Sequence, residues 1–257
     1  AVLNNLAHCD LREGLSQVAA ERFGQAAEVF QASGQRTEAG SAFVSQGRAL
    51  ASLGRPREAR HALARAVELG RQANNPRVLP LGLMGLGLNS MAIGEFAQAR
   101  DSLEESVRLF RQLDDPELLC WGLVSLSELL RAQGETDRAL HLAREALKSA
   151  QDRGDFEQEQ MAYMARANVL WVRGETELAL AAAENLPPLV YVPTSSGGAQ
   201  ALLARARVES EASSAPGRAA AESAHDVESA IDEVLSFSRA QGLPVLELSS
   251  RFALLER

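Results

Sequence analysis

Apolar residues recur along most of this chain at the spacing of amphipathic helices, and a glycine separates the two helices of each pair. In one pair, the pattern predicts a first helix over Ser41–Leu53, with Phe43 and Leu50 among its apolar residues. Gly54 predicts the end of that helix, because the residue just past a helix often adopts a left-handed conformation that glycine tolerates best. A second helix is predicted to run to about Gln72, where an Asn-Asn-Pro segment stops it.

The separating glycines recur every 40 residues, and an alanine follows each of them five residues later. The glycines are Gly14, Gly54, Gly94, Gly134 and Gly174. A fixed period of this length is typical of stacked helix-turn-helix units, so the pattern predicts an all-α repeat protein. A long coiled coil is excluded, because each glycine would interrupt a sustained heptad.

The repeat register also predicts the domain organisation. Five helix pairs are expected over residues 1–186, a proline-rich insertion over 187–198, and a degenerate sixth repeat with a terminal helix over 199–257. Both ends lie within a helical pattern, so we expect the chain to be an excerpt of a longer protein.

The charge of the chain limits its partners. Its net charge is −8, and Lys148 is its one lysine. Nucleic acids and anionic membranes attract basic surfaces, so neither is expected as a partner. No apolar run approaches the ~20 residues of a membrane span. The two isolated cysteines, Cys9 and Cys120, fit a reducing compartment, and we expect a cytoplasmic location.

Candidate chemistry is sparse, and we expect no catalytic residue, metal site or cofactor. The adjacent residues His8, Cys9 and Asp10 include metal-ligand types, but consecutive helical residues point in different directions. No phosphate-binding Gly-x-x-x-x-Gly-Lys-Ser/Thr loop and no Gly-x-Ser-x-Gly nucleophile motif is present.

The repeat resembles the tetratricopeptide repeat, whose units carry small and large residues at set positions. One unit matches through Phe43, Gly47, Gly54, Ala59, Leu63 and Ala66, and the next through Leu83, Leu86, Gly87, Gly94, Ala99 and Leu103. The resemblance implies a right-handed superhelical solenoid of antiparallel helix pairs with about six repeats. The 40-residue period looks like the long repeats of MalT-type bacterial regulators.

In the resembled fold, set positions of each first helix face a concave groove. All four methionines and both tryptophans of the chain map to those positions. Methionine suits adaptable binding surfaces, and tryptophan is a frequent hot-spot residue. The predicted groove residues are Arg48, Leu81, Met84, Leu88, Met91, Trp121, Glu128, Arg131, Met161, Met164, Asn168 and Trp171. The pattern favours an apolar or amphipathic peptide as the ligand.

Two other interpretations of these residues stay open. They could pack against one another inside a tightly wound superhelix, or the apolar segment Leu186–Pro193 could occupy the groove. The carboxylate clamp that some relatives use for chaperone tails is excluded, because Val44 and Arg48 stand where it needs lysine and asparagine.

The leading functional hypothesis is a non-enzymatic module that binds a protein or peptide, as the sensory or partner-docking region of a larger bacterial regulator. The alternative is a domain that senses a small-molecule inducer in the same groove. An enzyme built on the solenoid is the third hypothesis.

Overall fold

The computed structural model describes residues 2–72 and 75–183, which form helices joined by short turns, with no strand among them. The predicted all-α repeat fold is confirmed. In chain order the helices are α1 (Val2–Arg12), α2 (Ser16–Ala32), α3 (Arg36–Ser52), α4 (Pro56–Gln72), α5 (Val78–Ala92), α6 (Phe96–Gln112), α7 (Pro116–Ala132), α8 (Thr136–Arg153), α9 (Phe156–Val172) and α10 (Thr176–Ala183). We call α1, α3, α5, α7 and α9 the first helices and the others the second helices.

The periodic glycines form the turn inside each helix pair. All five have a positive φ, between 70° and 80°. At Gly54, the amide donates back to the Ala51 carbonyl, and the next amide, of Arg55, donates to the Leu50 carbonyl. The carbonyls of Leu50 and Ala51, in the last turn of α3, are thereby satisfied by backbone amides.

One helix boundary differs from its prediction. Helix α3 begins at Arg36, whereas the sequence pattern predicts Ser41. Gly40 therefore lies inside the helix. A Cβ atom there would lie 2.6 Å from the Val78 side chain, so this glycine permits a close approach rather than marking a boundary.

Successive helices from α1 to α6 contact one another, and glycines allow several of these contacts to be close. Leu63 of α4 lies against both Gly47 of α3 and Gly85 of α5, where an added Cβ would come within 2.5 Å of the leucine. Leu103 of α6 lies in the same way against Gly87. Small residues at these positions let large ones from the facing helix interdigitate, which is how helix interiors reach high packing density.

The chain divides into two compact units, residues 1–129 and 130–257, and the division falls within α7. In the first unit, a core of mostly small and aliphatic side chains joins α2, α3 and α4, with Phe43, Leu50, Leu63 and Leu69 as its large members. In the second unit, α9 contacts both α8 and α10. The predicted insertion over 187–198 and the predicted degenerate repeat over 199–257 lie outside the described residues.

Across residues 2–72 and 75–183, no helix combines the length and apolarity that a membrane crossing requires.

Two helical glycines provide a test of the packing. Replacing Gly70 with alanine should lower the free energy of unfolding by about 2 kcal/mol, because its Cβ would lie 2.7 Å from the Leu79 backbone nitrogen. Gly24→Ala is the matched control, because its Cβ would meet only the flexible end of Gln46. That variant should be neutral or gain up to about 1 kcal/mol from helix propensity. Urea denaturation measures the free energy of unfolding of both variants. Equal changes in Gly70→Ala and Gly24→Ala would contradict this account.

Asp114 allows a second test, because it adopts a left-handed conformation with a φ of 49°. The equivalent positions carry Gly34 and Gly154, with φ of 74° and 65°. Asp114→Gly should raise the free energy of unfolding by about 0.5 kcal/mol, because side chains are strained in this region. Gly154→Ala should lower it by about 1 kcal/mol. Thermal melts measure both changes, and a lower free energy of unfolding for Asp114→Gly or a higher one for Gly154→Ala would contradict this account.

Candidate functional site

Helix α5 carries four of the predicted groove residues on one face. Leu81, Leu88 and Met91 are partly exposed, and Leu88 shows 36 % of its surface to solvent. Met84 is buried at 8 % exposure and is part of the helix packing. Helix α5 contacts α3, α4 and α6, which explains why it is apolar on all sides.

Helices α3 and α7 carry the remaining predicted residues of the first unit. Arg48 is exposed on α3, and no hydrogen bond or ion pair joins it to the residues that the structure describes. Trp121 and Glu128 are partly buried on α7, where Ser125 Oγ donates to the Trp121 carbonyl at 2.9 Å. We call these residues of the first unit the first-helix strip: Arg48, Leu81, Met84, Leu88, Met91, Trp121 and Glu128.

The other five predicted groove residues belong to the second unit. Met161, Met164, Asn168 and Trp171 lie along α9 and are partly buried. They stand 80 residues after Leu81, Met84, Leu88 and Met91, so they share one face of α9 in the same register. Arg131 lies near the end of α7 and is also partly buried.

Helices α4 and α6 pack closely on two different sides of α5, about 200° apart around its axis, and the strip residues of α5 lie between these two contacts. Gly85 and Gly87 receive Leu63 and Leu103 from the second helices α4 and α6. Helix α3 also contacts α5 directly, which brings two first helices side by side. Leu81, Leu88 and Met91 thus form a row of partly exposed apolar side chains on α5, and the exposed Arg48 guanidinium lies on the contacting helix α3.

The side chains whose pKa values are shifted lie at turns and helix ends, outside the first-helix strip. Arg55 Nε donates to Glu58 Oε1 at 2.7 Å, and this hydrogen bond lowers the pKa of the Glu58 carboxyl and raises the pKa of Arg55. The pKa of Arg173 is raised by hydrogen bonds to Asp137 and Glu175. These exposed pairs join turns and helix ends, and such pairs contribute little to stability.

The cluster of His8, Cys9 and Asp10 is split among different contacts. Arg22 Nη1 donates to both Asp10 carboxylate oxygens at 2.6 Å, and the His8 ring meets Phe23 edge-on at 4.9 Å between centroids. Cys9 is exposed. In the described part of the chain, no three histidine, cysteine or acidic residues are grouped as a metal site would require.

A cleft on the second helices is a surface that sequence reasoning missed. It has a volume of about 510 Å³ and is lined by α4, α5 and α6. Leu83 and Leu86 form part of its floor, and they occupy ordinary core positions of the repeat, so the sequence pattern gives no signal for it. A second cleft of about 540 Å³ lies between the two inter-repeat turns at Asn75–Arg77 and Leu113–Pro116, where Arg77 pairs with Asp115 at 2.5 Å.

Two family profiles match parts of the chain. The profile described as tetratricopeptide repeat matches residues 81–152, which cover helices α5 to α8. The profile described as anaphase-promoting complex subunit 5 matches residues 25–86. No curated protein matches the chain.

Several solved structures share the fold at low sequence identity. The Rap protein complexed with competence and sporulation factor is similar at a TM-score of 0.67 and 12% identity, with 99% of this chain and 72% of that chain covered. Tetratricopeptide-like repeats of a putative kinesin light chain from Podosopora anserina are similar at a TM-score of 0.57 and 17% identity, with 72% of this chain and 91% of that chain covered.

A third similar structure is a signal transduction ATPase with numerous domains from Pyrococcus horikoshii, which has a tetratricopeptide repeat sensor. Its TM-score is 0.61 at 15% identity, and the match covers 96% of this chain but 37% of that one. Together with the profile matched over residues 81–152, these structures confirm the resemblance to the tetratricopeptide repeat that the motif positions indicate.

Proposed function

We propose that this chain is a non-enzymatic protein-binding region that holds an apolar or amphipathic peptide on its first helices. The observation that carries the proposal is the first-helix strip, where Leu81, Leu88 and Met91 remain partly exposed on one face of α5. Exposed apolar side chains in a row are typical of recognition surfaces. The exposed Arg48 offers an ion pair to an acidic residue of the peptide.

The similar structures support a protein or peptide as the partner. The Rap protein was solved with competence and sporulation factor, and another similar structure is an assembly chaperone of a ribosomal protein. In the second unit, Met161, Met164 and Trp171 place the same residue types along one face of α9, and we propose that this face binds apolar side chains by itself.

We propose further that the region senses or docks a partner for a larger bacterial regulator of the MalT type. Its likeness to part of a multidomain ATPase with a repeat sensor supports this context. The flanking reading frame tests it: a nucleotide-binding or helix-turn-helix domain beside this segment is the expected result. An uninterrupted array of repeats on both sides would contradict it.

The strip can be tested with peptides selected from a phage-displayed library on the full chain. Leu88→Ala and Met91→Ala should each weaken the selected peptides by about tenfold, because each removes an apolar contact of the bound state. Ile93→Ala is the matched control, since Ile93 is 41% exposed just past the end of α5 and lies outside the strip. Fluorescence anisotropy measures the dissociation constants.

The outcome separates the hypotheses for this surface. Equal losses in Leu88→Ala and Ile93→Ala, or no peptide above background, would contradict binding on the strip. In a Trp171→Phe chain the remaining tryptophan is Trp121, and its fluorescence should change when a peptide binds. A small molecule that changes it where peptides do not would support the inducer-sensing alternative, and substrate turnover would overturn the non-enzymatic proposal.

A further inference from the structure

The cleft lined by α4, α5 and α6 combines an apolar floor with acidic walls. The floor includes Leu83, which is buried, and Leu86, which is partly exposed. Four charged side chains stand around it, three of them carboxylates: Glu68, Arg71, Asp101 and Glu105. We call this surface the second-helix cleft.

The equivalent place one repeat earlier is filled by this chain itself. The Arg65 guanidinium of α4 lies over the Phe43 ring, 5.1 Å from its centroid, and donates to Gln31 Oε1 at 2.5 Å. The end of the Gln46 side chain lies against Gly24, where a Cβ would come within 2.4 Å of it. An internal arginine and an internal glutamine therefore occupy the space between α2 and α4.

Forty residues later, every one of these partners is changed. Glu105 stands in place of Arg65, Leu83 in place of Phe43, and Arg71 in place of Gln31. The second-helix cleft therefore has no guanidinium at the place of Arg65. Its one arginine, Arg71, stands at the place of Gln31, and the three carboxylates give the walls an excess of negative charge. The apolar floor remains, and about 510 Å³ of space lies above it.

The carboxylates of the second-helix cleft keep most of their capacity to accept hydrogen bonds. Glu105 is 41% exposed and pairs with Arg108 of its own helix at a distance of 3.9 Å. Glu68 accepts a hydrogen bond from Gln72 at 3.3 Å. No hydrogen bond or ion pair joins Asp101 to the residues that the structure describes. A cation entering the cleft would meet these oxygens without breaking a strong ion pair.

We infer that the second-helix cleft accepts an arginine side chain, presented by an apolar segment of a partner protein. That arginine would supply from outside what Arg65 supplies within the preceding repeat. A guanidinium fits this surface because its flat face packs on apolar carbons while its edges donate to carboxylates. Leu83 and Leu86 lie on the side of α5 opposite Leu81 and Leu88, at about 100° per residue, so this surface is independent of the first-helix strip.

The test uses the full chain and two synthetic helical peptides. Both contain leucine and alanine with glutamine for solubility; one carries a single arginine, and the other carries neutral citrulline in its place. The arginine peptide should bind and shift the NMR methyl signals of Leu83 and Leu86. The citrulline peptide should bind about tenfold more weakly, because its side chain has the same shape but no charge.

Glu105→Arg should also weaken the arginine peptide by about tenfold, because it replaces a carboxylate of the cleft with a guanidinium that repels the arginine of the peptide. Asp101→Asn, which keeps the size of the side chain, should weaken it about threefold and serves if the first variant unfolds. Glu28→Arg is the matched control: it makes the same change of charge at the equivalent of Glu68, beside the filled space of the preceding repeat. Its affinity should stay within about twofold of the unmodified chain.

Three results would each overturn the inference: no binding of the arginine peptide at about 1 mM, equal binding of the two peptides, or an equal loss in Glu28→Arg and Glu105→Arg. The last would mean general attraction to an acidic surface. The first-helix strip is intact in all three variants, so peptides selected on it should bind them normally. A failure here is therefore distinguishable from a failure of the proposed function.

Discussion

Much of this architecture depends on one contact, in which the Leu63 side chain packs between two glycines. It lies against Gly47 of its own helix pair and Gly85 of the next, and a Cβ at either glycine would come within 2.5 Å of it. One side chain thus sets both the spacing within a pair and the spacing between consecutive pairs. Interiors this dense leave no room for an added carbon, so the small residues of the repeat are structural requirements.

This packing decides which surfaces remain for binding. Because α4 and α6 press their leucines onto α5, one face of α5 is left with Leu81 and Leu88, and the other with Leu83 and Leu86 beneath the second-helix cleft. The two surfaces differ in chemistry. The first combines partly exposed apolar residues with an exposed arginine, whereas the second surrounds an apolar floor mainly with carboxylates. Helix α5 therefore contributes to two surfaces of different charge.

Much of the fold can be predicted from the sequence, because its signals are local and repeated. The glycines every 40 residues adopt the expected left-handed turns, and the tetratricopeptide resemblance is confirmed. The start of α3 was predicted wrongly because Gly40 was taken for a boundary, whereas it accommodates Val78 of another helix. A glycine at a turn and a glycine at a close approach look alike in sequence, and the partner across the contact distinguishes them.

The sequence by itself determined the helix pairs, their turns and the register that aligns equivalent positions, because backbone conformation and 40-residue periodicity are properties of short segments. Only the tertiary structure decided which apolar residues of α5 stay accessible: Met84 is 8% exposed and Leu88 is 36% exposed, although both lie on one predicted face. When a helix is apolar on all sides, its sequence does not indicate which side faces solvent. The exposure of each residue therefore depends on how closely the neighbouring helices approach. The sequence also shows that Glu105 stands where the preceding repeat has Arg65. The consequence of this difference depends on the tertiary structure, in which α4, α5 and α6 meet around an open cleft.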